Sequence, residues 1–146
     1  MSSRRGAERD AVADVGQGSI VRIGSGADIV TARKRGRELA AALGFSGSDL
    51  TVIVTAISEL AHNIIEYAAT GQILLDRTEK DARMGIVITA RDEGPGISDI
   101  PRALCAGGTD QRVRLGLPGV RSLMDDFEIS SKPHHGTTVT VRKWLR

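Results

Sequence analysis

The sequence predicts a single α+β domain in which helices cover one face of a β-sheet, and three observations lead to this prediction. Two helical patterns follow each other in the first half of the chain, before any pair of strand patterns. Two pairs of strand patterns come later, separated by glycine-rich loops and a further helical pattern. Helices and strands therefore occur in runs and do not alternate strictly, which is typical of a sandwich with helices on one sheet face.

The composition is that of one globular domain with an aliphatic core. Of the 146 residues, 40% are hydrophobic, 26% are charged and only 3% are aromatic. The single cysteine, Cys105, excludes an internal disulfide and fits a reducing compartment. No apolar run approaches the roughly 18 residues of a membrane span, and residues 1–14 lack the apolar core of a signal peptide. We therefore expect a cytoplasmic protein with no membrane partner.

The charge pattern argues against a nucleic-acid interface. The formal net charge is +2 and the sequence pI is near 9.0, so the chain is mildly basic. Its basic residues are scattered and often stand beside acids, and neither aromatic platforms nor a basic recognition helix is evident. The sequence favours a mixed-charge surface over nucleic-acid binding.

The first segments of the domain are a strand and a helix. We interpret residues 1–18 as a flexible lead-in and residues 19–146 as the folded domain. Residues 19–23 alternate between polar and apolar types and predict an edge strand. Asp28 is the predicted cap of the helix that follows, and Gly44 is its predicted end.

The next segment carries the strongest helical pattern of the chain. Ser48 or Asp49 is the predicted cap, and Gly71 lies just past the predicted end. Apolar residues at steps of three and four form one stripe that predicts a buried helix face. These residues are Ile53, Ile57, Leu60, Ile64 and Ala68.

The second half of the chain is predicted to contain four strands and two shorter helices. Charged and glycine-rich segments separate them, the turn over residues 78–84 among them. The predicted strands cover residues 72–77, 85–91, 127–131 and 137–144, and the predicted helices cover residues 99–104 and 118–127.

The long helix places two polar side chains on one face, away from its apolar stripe. Glu59 and Asn63 are four residues apart and therefore project from successive turns, with Glu66 three residues further on. A carboxylate and an amide oxygen at this spacing suit a hard cation such as Mg²⁺, and the carboxylate suits the acceptance of a hydroxyl proton. The alternative is the ordinary polar face of an amphipathic helix, because this spacing is common.

Two glycine-rich loops complete the candidate site. Residues 92–97 follow a predicted strand, so that Asp92 stands at its end beside glycines that permit close backbone approach. Residues 115–120 lead into the helix predicted to begin near Pro118, and the free N–H groups at the start of a helix can bind phosphate. Ordinary turns explain either loop taken alone, and no Gly-Lys-Ser/Thr ending of a Walker-type loop is present.

Taken together, these segments resemble the GHKL ATP-binding superfamily of gyrase, Hsp90-type chaperones, histidine kinases and MutL. Residues 58–68 resemble the asparagine box, Asp92-x-Gly94-x-Gly96 the first glycine box and residues 115–119 the second. Residues 136–139 resemble the Gly-Thr element of a late strand. A narrower resemblance is to the RsbT-type serine/threonine-protein kinases of stressosome and sigma-factor partner-switching modules. It covers residues 92–97, 116–120, 123–129 and 136–144.

The resemblance implies a fold and a set of roles. The fold is the GHKL (Bergerat) two-layer α/β sandwich, with a mixed, mostly antiparallel sheet and helices on one face. Asn63 would bind the Mg²⁺ that bridges the ATP phosphates, and Glu59 would act as general base or orient the acceptor hydroxyl. Asp92 would accept from the adenine amino group, supported through water by Thr138 or Thr137. The other implied nucleotide-binding residues are Gly94, Gly96, Ile97, Arg114, Gly116, Leu117 and Gly119.

The second glycine box departs from the pattern of these relatives. Arg114 occupies the position where an earlier glycine is expected, and Arg112 precedes it by two residues. If that position requires positive φ, arginine is strained there or rearranges the loop. Alternatively, the two guanidinium groups clamp phosphate directly.

The resemblance implies a kinase that uses ATP and Mg²⁺ and phosphorylates a STAS-domain partner, either an anti-sigma antagonist or a stressosome protein. A sigma factor or a phosphatase regulator is a further implied partner. The alternative is an anti-sigma or switch module of the same fold that binds its partner with little chemistry. A detached histidine-kinase catalytic domain is a third hypothesis. It is weaker because no helix pair carrying an acceptor histidine is evident.

Overall fold

The computed structural model describes residues 13–14, 18–96 and 116–146. Within these residues the chain forms six strands and three helices in one α+β unit. In chain order they are β1 (Ala13–Asp14), β2 (Ser19–Ile23), α1 (Gly26–Leu43), α2 (Gly47–Ala68), β3 (Gly71–Lys80), β4 (Arg83–Asp92), α3 (Gly116–Leu123), β5 (Asp126–Ser131) and β6 (Thr137–Trp144).

The strands form one sheet in the order β1-β3-β4-β6-β5, and β2 pairs with β3 beside β1. Every pairing among the described strands is antiparallel. Ala13–Asp14, which fall within the predicted lead-in, pair with Glu79 and Thr78 of β3. The sheet therefore runs from the N-terminal strands at one edge to β5 at the other, with β4 and β6 near its centre.

The α+β sandwich predicted from the sequence is confirmed. Helices α1 and α2 pack against each other and against the sheet, and α3 packs against α2. The core between the layers is aliphatic, as the low aromatic content predicts. Its fully buried members include Ile53, Ile57, Leu60, Ile64, Ile73, Leu75, Ile86, Ile88 and Val141.

The predicted end of the first helix is confirmed, but the predicted N-caps of the first two helices are wrong. Helix α1 ends at Gly44, which has φ 113° and donates its N–H to Ala41, as predicted. The N-cap is Ser25, not Asp28. Asp28 lies in the first turn and accepts hydrogen bonds from the Gly24 N–H and the Ser25 hydroxyl, so it stabilises the helix start from inside. Likewise, the N-cap of α2 is Ser46, two residues before Ser48.

The β3–β4 hairpin is longer than predicted. The strands continue to Lys80 and resume at Arg83, so that the predicted turn over residues 78–84 shrinks to Asp81 and Ala82. Both turn residues have positive φ, 53° and 63°, the conformation of a two-residue hairpin turn. Charged residues near the turn resembled a loop in the sequence, yet Thr78 is fully buried.

The helix predicted over residues 118–127 is displaced toward the N-terminus. Helix α3 covers Gly116–Leu123, and Phe127 belongs to β5. The residues between them are tied to the sheet: the Asp125 carboxylate accepts the Trp144 backbone N–H, and the Asp126 carboxylate accepts the Trp144 indole N–H, both at 2.8 Å. These hydrogen bonds tie the connection between α3 and β5 to the end of β6. The helix predicted over residues 99–104 lies outside the described residues.

Candidate functional site

The polar face of α2 carries the two side chains that the sequence singled out. Glu59 is only 8% exposed, which is unusual for a carboxylate, and Asn63 follows it by one turn. The apolar stripe on the other side of α2 is buried in the core, which fixes the helix and hence the direction of both side chains. The spacing of four residues therefore does place a carboxylate and an amide on adjacent turns of a rigid element.

Glu59 contacts the start of α3. Its Oε1 atom accepts a hydrogen bond from the Gly116 N–H at 3.0 Å, although the two residues are 57 positions apart. Gly116 is the first residue of α3 and has φ 63°. A helix N-terminus carries unpaired N–H groups and partial positive charge, so it stabilises the carboxylate of Glu59.

The side-chain amide of Asn63 has a buried donor atom, Nδ2. Among the residues that the structure describes, none accepts a hydrogen bond from its Nδ2 atom, which is inaccessible to solvent. A buried polar group left unsatisfied costs about 1–3 kcal/mol. An oxygen-rich ligand bound beside α2 would remove this cost. The buried Nδ2 donor of Asn63, which has no acceptor among the described residues, therefore favours a ligand site here.

Asp92 ends β4 and joins the first glycine loop to the sheet. Its Oδ1 atom accepts the Gly94 N–H at 2.9 Å. In the ladder between β4 and β6, Asp92 is directly opposite Thr137, so the two side chains share the helix-covered face with Ala90 and Val139. The Thr137 hydroxyl is 2.8 Å from the Ser131 hydroxyl, which holds it in place.

The register separates the two threonines that the resemblance left as alternatives. Thr138 is opposite Arg91, and both alternate with Asp92 and Thr137, so they project from the other face of the sheet. Thr137 is therefore the threonine directly opposite Asp92 in the ladder, while Thr138 and Asp92 both line an open cleft at the end of these strands.

Two glycines allow the glycine loop to pack closely against its surroundings. A Cβ at Gly94 would lie 2.6 Å from the Cβ of Ala68, at the end of α2. A Cβ at Gly136 would overlap the carbonyl oxygen of Asp92, and Gly136 has φ 81°. Gly136 thus lets the β5–β6 turn approach Asp92 and bring Thr137 beside it.

This close approach gives a prediction about stability. Gly136→Ala should lower the free energy of unfolding by about 2–4 kcal/mol, since left-handed strain and a steric overlap with backbone act together. Chemical denaturation of the purified variant measures the change.

Gly47→Ala is the matched control for that experiment. Gly47 has φ 58°, but no atom lies within 4 Å of the position that a Cβ would take, so this substitution adds strain without overlap. We expect it to cost about 1–2 kcal/mol. Equal losses in the two variants would contradict the close approach of Gly136 to Asp92.

The remaining predicted nucleotide-binding residues have different placements. Gly96 is in the first glycine loop, with φ 82°. Leu117 and Gly119 are in the first turn of α3, and Leu117 packs against the hydrophobic core. Ile97 and Arg114 lie outside the described residues, as does Arg112.

An open cleft of about 350 Å³ includes Asp92 and Thr138 of the candidate site but neither Glu59 nor Asn63. Its lining residues are Arg91, Asp92, Glu93, His134, His135 and Thr138. Because Arg91 and Thr138 belong to the sheet face opposite the helices, we do not assign the ligand of the α2 face to this cleft.

The fold and the site together define a class of protein. An antiparallel sheet covered by helices, with an acidic residue and an asparagine on one helix and an Asp-x-Gly-x-Gly loop near the end of that helix, is the arrangement that the resemblance to ATP-binding domains implies. Residues 25–143 match the family of histidine kinase-like ATPase domains, and the chain belongs to this family.

Within that family, two groups of characterised proteins are similar to the chain. It is 46% identical over 129 residues to the serine/threonine-protein kinase RsbT of Bacillus subtilis, covering 88% of this chain and 97% of that protein. It is 33% identical over 105 residues to the anti-sigma F factor of Bacillus licheniformis, covering 66% of this chain and 70% of that protein.

A solved structure supports the fold. The chain superposes on a chain of the SiaB-SiaC complex from Pseudomonas aeruginosa with a TM-score of 0.52, covering 99% of this chain and 96% of the other. The sequence identity is 15%, so this likeness bears on the fold alone. Among the helices that the structure describes, none is long and apolar enough to cross a membrane.

Proposed function

We propose that this protein is a serine/threonine protein kinase of a bacterial partner-switching module, which uses Mg²⁺-ATP to phosphorylate a STAS-domain protein in the cytoplasm. The observation that carries the proposal is the pair on α2: a nearly buried carboxylate, Glu59, and one turn away an amide, Asn63, whose buried donor has no partner among the described residues. The 46% identity to the kinase RsbT supports the same activity.

The described residues fit a nucleotide laid along α2. Asp92 and Thr137 lie where the first glycine loop meets the end of this helix, and Gly116 lies at Glu59. From Glu59 to Ala68 the helix rises about 13–14 Å. The adenine would lie at the Asp92 end, with its amino group donating to the carboxylate, and the phosphates at the α3 end, where N–H groups are available.

Asn63 lies between these two ends and would bind both metal and phosphate. Its Oδ1 atom is a hard ligand suited to Mg²⁺, and its Nδ2 atom would donate to a phosphate oxygen. The described residues contain no cluster of three or more His, Cys, Asp or Glu that could hold a metal alone. This agrees with the usual binding of Mg²⁺ by one or two protein groups together with phosphates.

The chemistry assigned to this chain is positioning and proton transfer. Bound Mg²⁺-ATP supplies the phosphoryl group and neutralises charge on it. Glu59 would accept the proton of the substrate serine or threonine hydroxyl, or hold that hydroxyl in line for attack. Because α2 is fixed by its buried stripe, the distance between Glu59 and Asn63 is preset and needs no rearrangement at the moment of reaction.

The direct test is phosphoryl transfer to a purified STAS-domain partner. The protein, Mg²⁺ and ATP labelled in the γ-phosphate are incubated with a candidate partner encoded in the same genome. We expect acid-stable label on a serine or threonine of the partner. Acid-labile label would contradict the proposal, since it indicates phosphohistidine.

A second candidate is a binding module that holds a partner with little chemistry. The similarity to anti-sigma F factors favours it, because those proteins are named for acting against a sigma factor. In the same assay this candidate predicts a stable complex with a STAS-domain protein or a sigma factor, unchanged by nucleotide and without transfer of label.

A further inference from the structure

We infer that Glu59 has a second role, which rests on the proposed function: its carboxylate holds the first turn of α3, and bound phosphate displaces it. The contact is the 3.0 Å hydrogen bond from the Gly116 N–H to Glu59 Oε1. In the proposed site this N–H belongs to the helix end that receives the nucleotide phosphates. The side chain of Glu59 and the phosphate of the ligand, both anionic acceptors, would therefore compete for the same backbone N–H.

The two ends of α3 are held in different ways among the described residues, and Glu59 contacts only the N-terminal end. At the C-terminal end, Lys143 donates to the Leu123 carbonyl at 3.2 Å and lies 3.6 Å from Asp125. Lys143 is only 7% exposed, and Val120 is fully buried in the core. The end and the middle of α3 are therefore fixed to the sheet and the core.

The N-terminal turn has fewer such contacts among the described residues. Leu117 packs against the hydrophobic core, whereas Gly116 and Gly119 have no side chain to pack. The hydrogen bond to Glu59 joins Gly116, the first residue of α3, to α2. Loss of that bond would loosen the Gly116 end of the turn while Leu117 and the rest of α3 stay packed.

Competition for Gly116 couples two events in the proposed kinase. Before phosphate is seated, the carboxylate of Glu59 is engaged by the helix N-terminus. A phosphate that takes the N–H of Gly116 removes this hydrogen bond from the carboxylate of Glu59. In the proposed kinase, binding of phosphate thereby ends the contact between the proposed base and the start of α3.

Nucleotide affinity measures the competition directly. Binding of Mg²⁺-ADP to the full chain is measured by calorimetry for the wild type, Glu59→Gln and Glu59→Asp. A neutral amide is a weaker acceptor than a carboxylate, and aspartate withdraws its charge by about 1.5 Å. We expect both variants to bind Mg²⁺-ADP about 3- to 10-fold more tightly than the wild type, because the competing hydrogen bond is weakened or lost.

Two comparisons separate competition from simple charge repulsion. Glu66→Gln removes an exposed carboxylate from the same helix and should leave the affinity within twofold. Tighter binding by Glu59→Gln with unchanged binding by Glu59→Asp would overturn the inference, since it shows that only net charge matters. Equal affinity in the wild type and both Glu59 variants would also overturn it while leaving the proposed function intact.

A nucleotide-independent readout tests the contact itself. In NMR exchange measurements without nucleotide, the Gly116 amide should exchange several-fold faster in Glu59→Ala than in the wild type, while the Met124 amide, which bonds to Val120 at the anchored end, should not change. Unchanged exchange at Gly116 would contradict the inference. Failure of the wild type and every variant to bind Mg²⁺-ADP would overturn the proposed function, and the inference would fall with it.

Discussion

Glu59→Gln is expected to reduce the rate of phosphoryl transfer by about 10²- to 10⁴-fold, the usual contribution of a positioned general base. Glutamine keeps the size and hydrogen-bonding shape of the side chain but does not take up the hydroxyl proton. The buried position of Glu59 on α2 means that no other described carboxylate on this helix face can replace it: Glu66 is two turns away and exposed.

The measurement is a single-turnover rate with saturating Mg²⁺-ATP and STAS-domain partner, so that binding does not limit it. Glu66→Gln serves as the control and should retain the wild-type rate within twofold. Full activity of Glu59→Gln would show that the carboxylate neither accepts the proton nor orients the hydroxyl. A rate loss accompanied by an equal loss in nucleotide affinity would instead indicate a binding defect.

The elements of the fold were predictable because their signals are local. Strand β6 covers residues 137–144 as predicted, and β2 covers residues 19–23 as predicted. Both alternate between buried and more exposed positions, a pattern that sequence alone reveals. The aliphatic stripe of α2 likewise identified a buried helix face before any contact was known.

The predicted boundaries of helices and strands were wrong where tertiary contacts override the local conformational preference of the residues. Thr78 is followed by Glu79, Lys80 and Asp81, which together favour a turn, yet pairing of β3 with β1 and β4 keeps Thr78 and Glu79 in a strand. The end of α3 was misjudged for a similar reason. Asp125 and Asp126, which follow this helix, accept hydrogen bonds from Trp144, about twenty residues later in the sequence.

The candidate site was predictable in its composition but not in all its contacts. The four-residue spacing of Glu59 and Asn63 placed them on one helix face correctly. The position of Thr137 directly opposite Asp92 depends on the register of β4 against β6, which the alternation of residue types within each strand does not fix. The hydrogen bond between Gly116 and Glu59 joins segments 57 residues apart, and no periodic signal reports such a contact.

Asn63→Ala is expected to abolish stabilisation by nucleotide without weakening the unliganded protein. At a Mg²⁺-ADP concentration of a hundred times the dissociation constant, the wild type should gain about 2.7 kcal/mol, a rise in Tm of several degrees. Alanine removes both the metal ligand and the phosphate donor, so the gain should fall close to zero in this variant.

The unliganded stability of Asn63→Ala distinguishes a ligand site from a structural asparagine. The wild-type Nδ2 atom is buried and has no acceptor among the described residues, so its removal relieves a cost of about 1–3 kcal/mol that offsets the lost packing. We expect an unfolding free energy equal to that of the wild type or higher.

His62→Ala, at the neighbouring half-buried position, is the control and should keep the full response to nucleotide. If Asn63→Ala lost more than about 1 kcal/mol without ligand, or kept the wild-type response to Mg²⁺-ADP, Asn63 would be part of the scaffold and the phosphate-binding end of the site would have to be sought elsewhere on the chain.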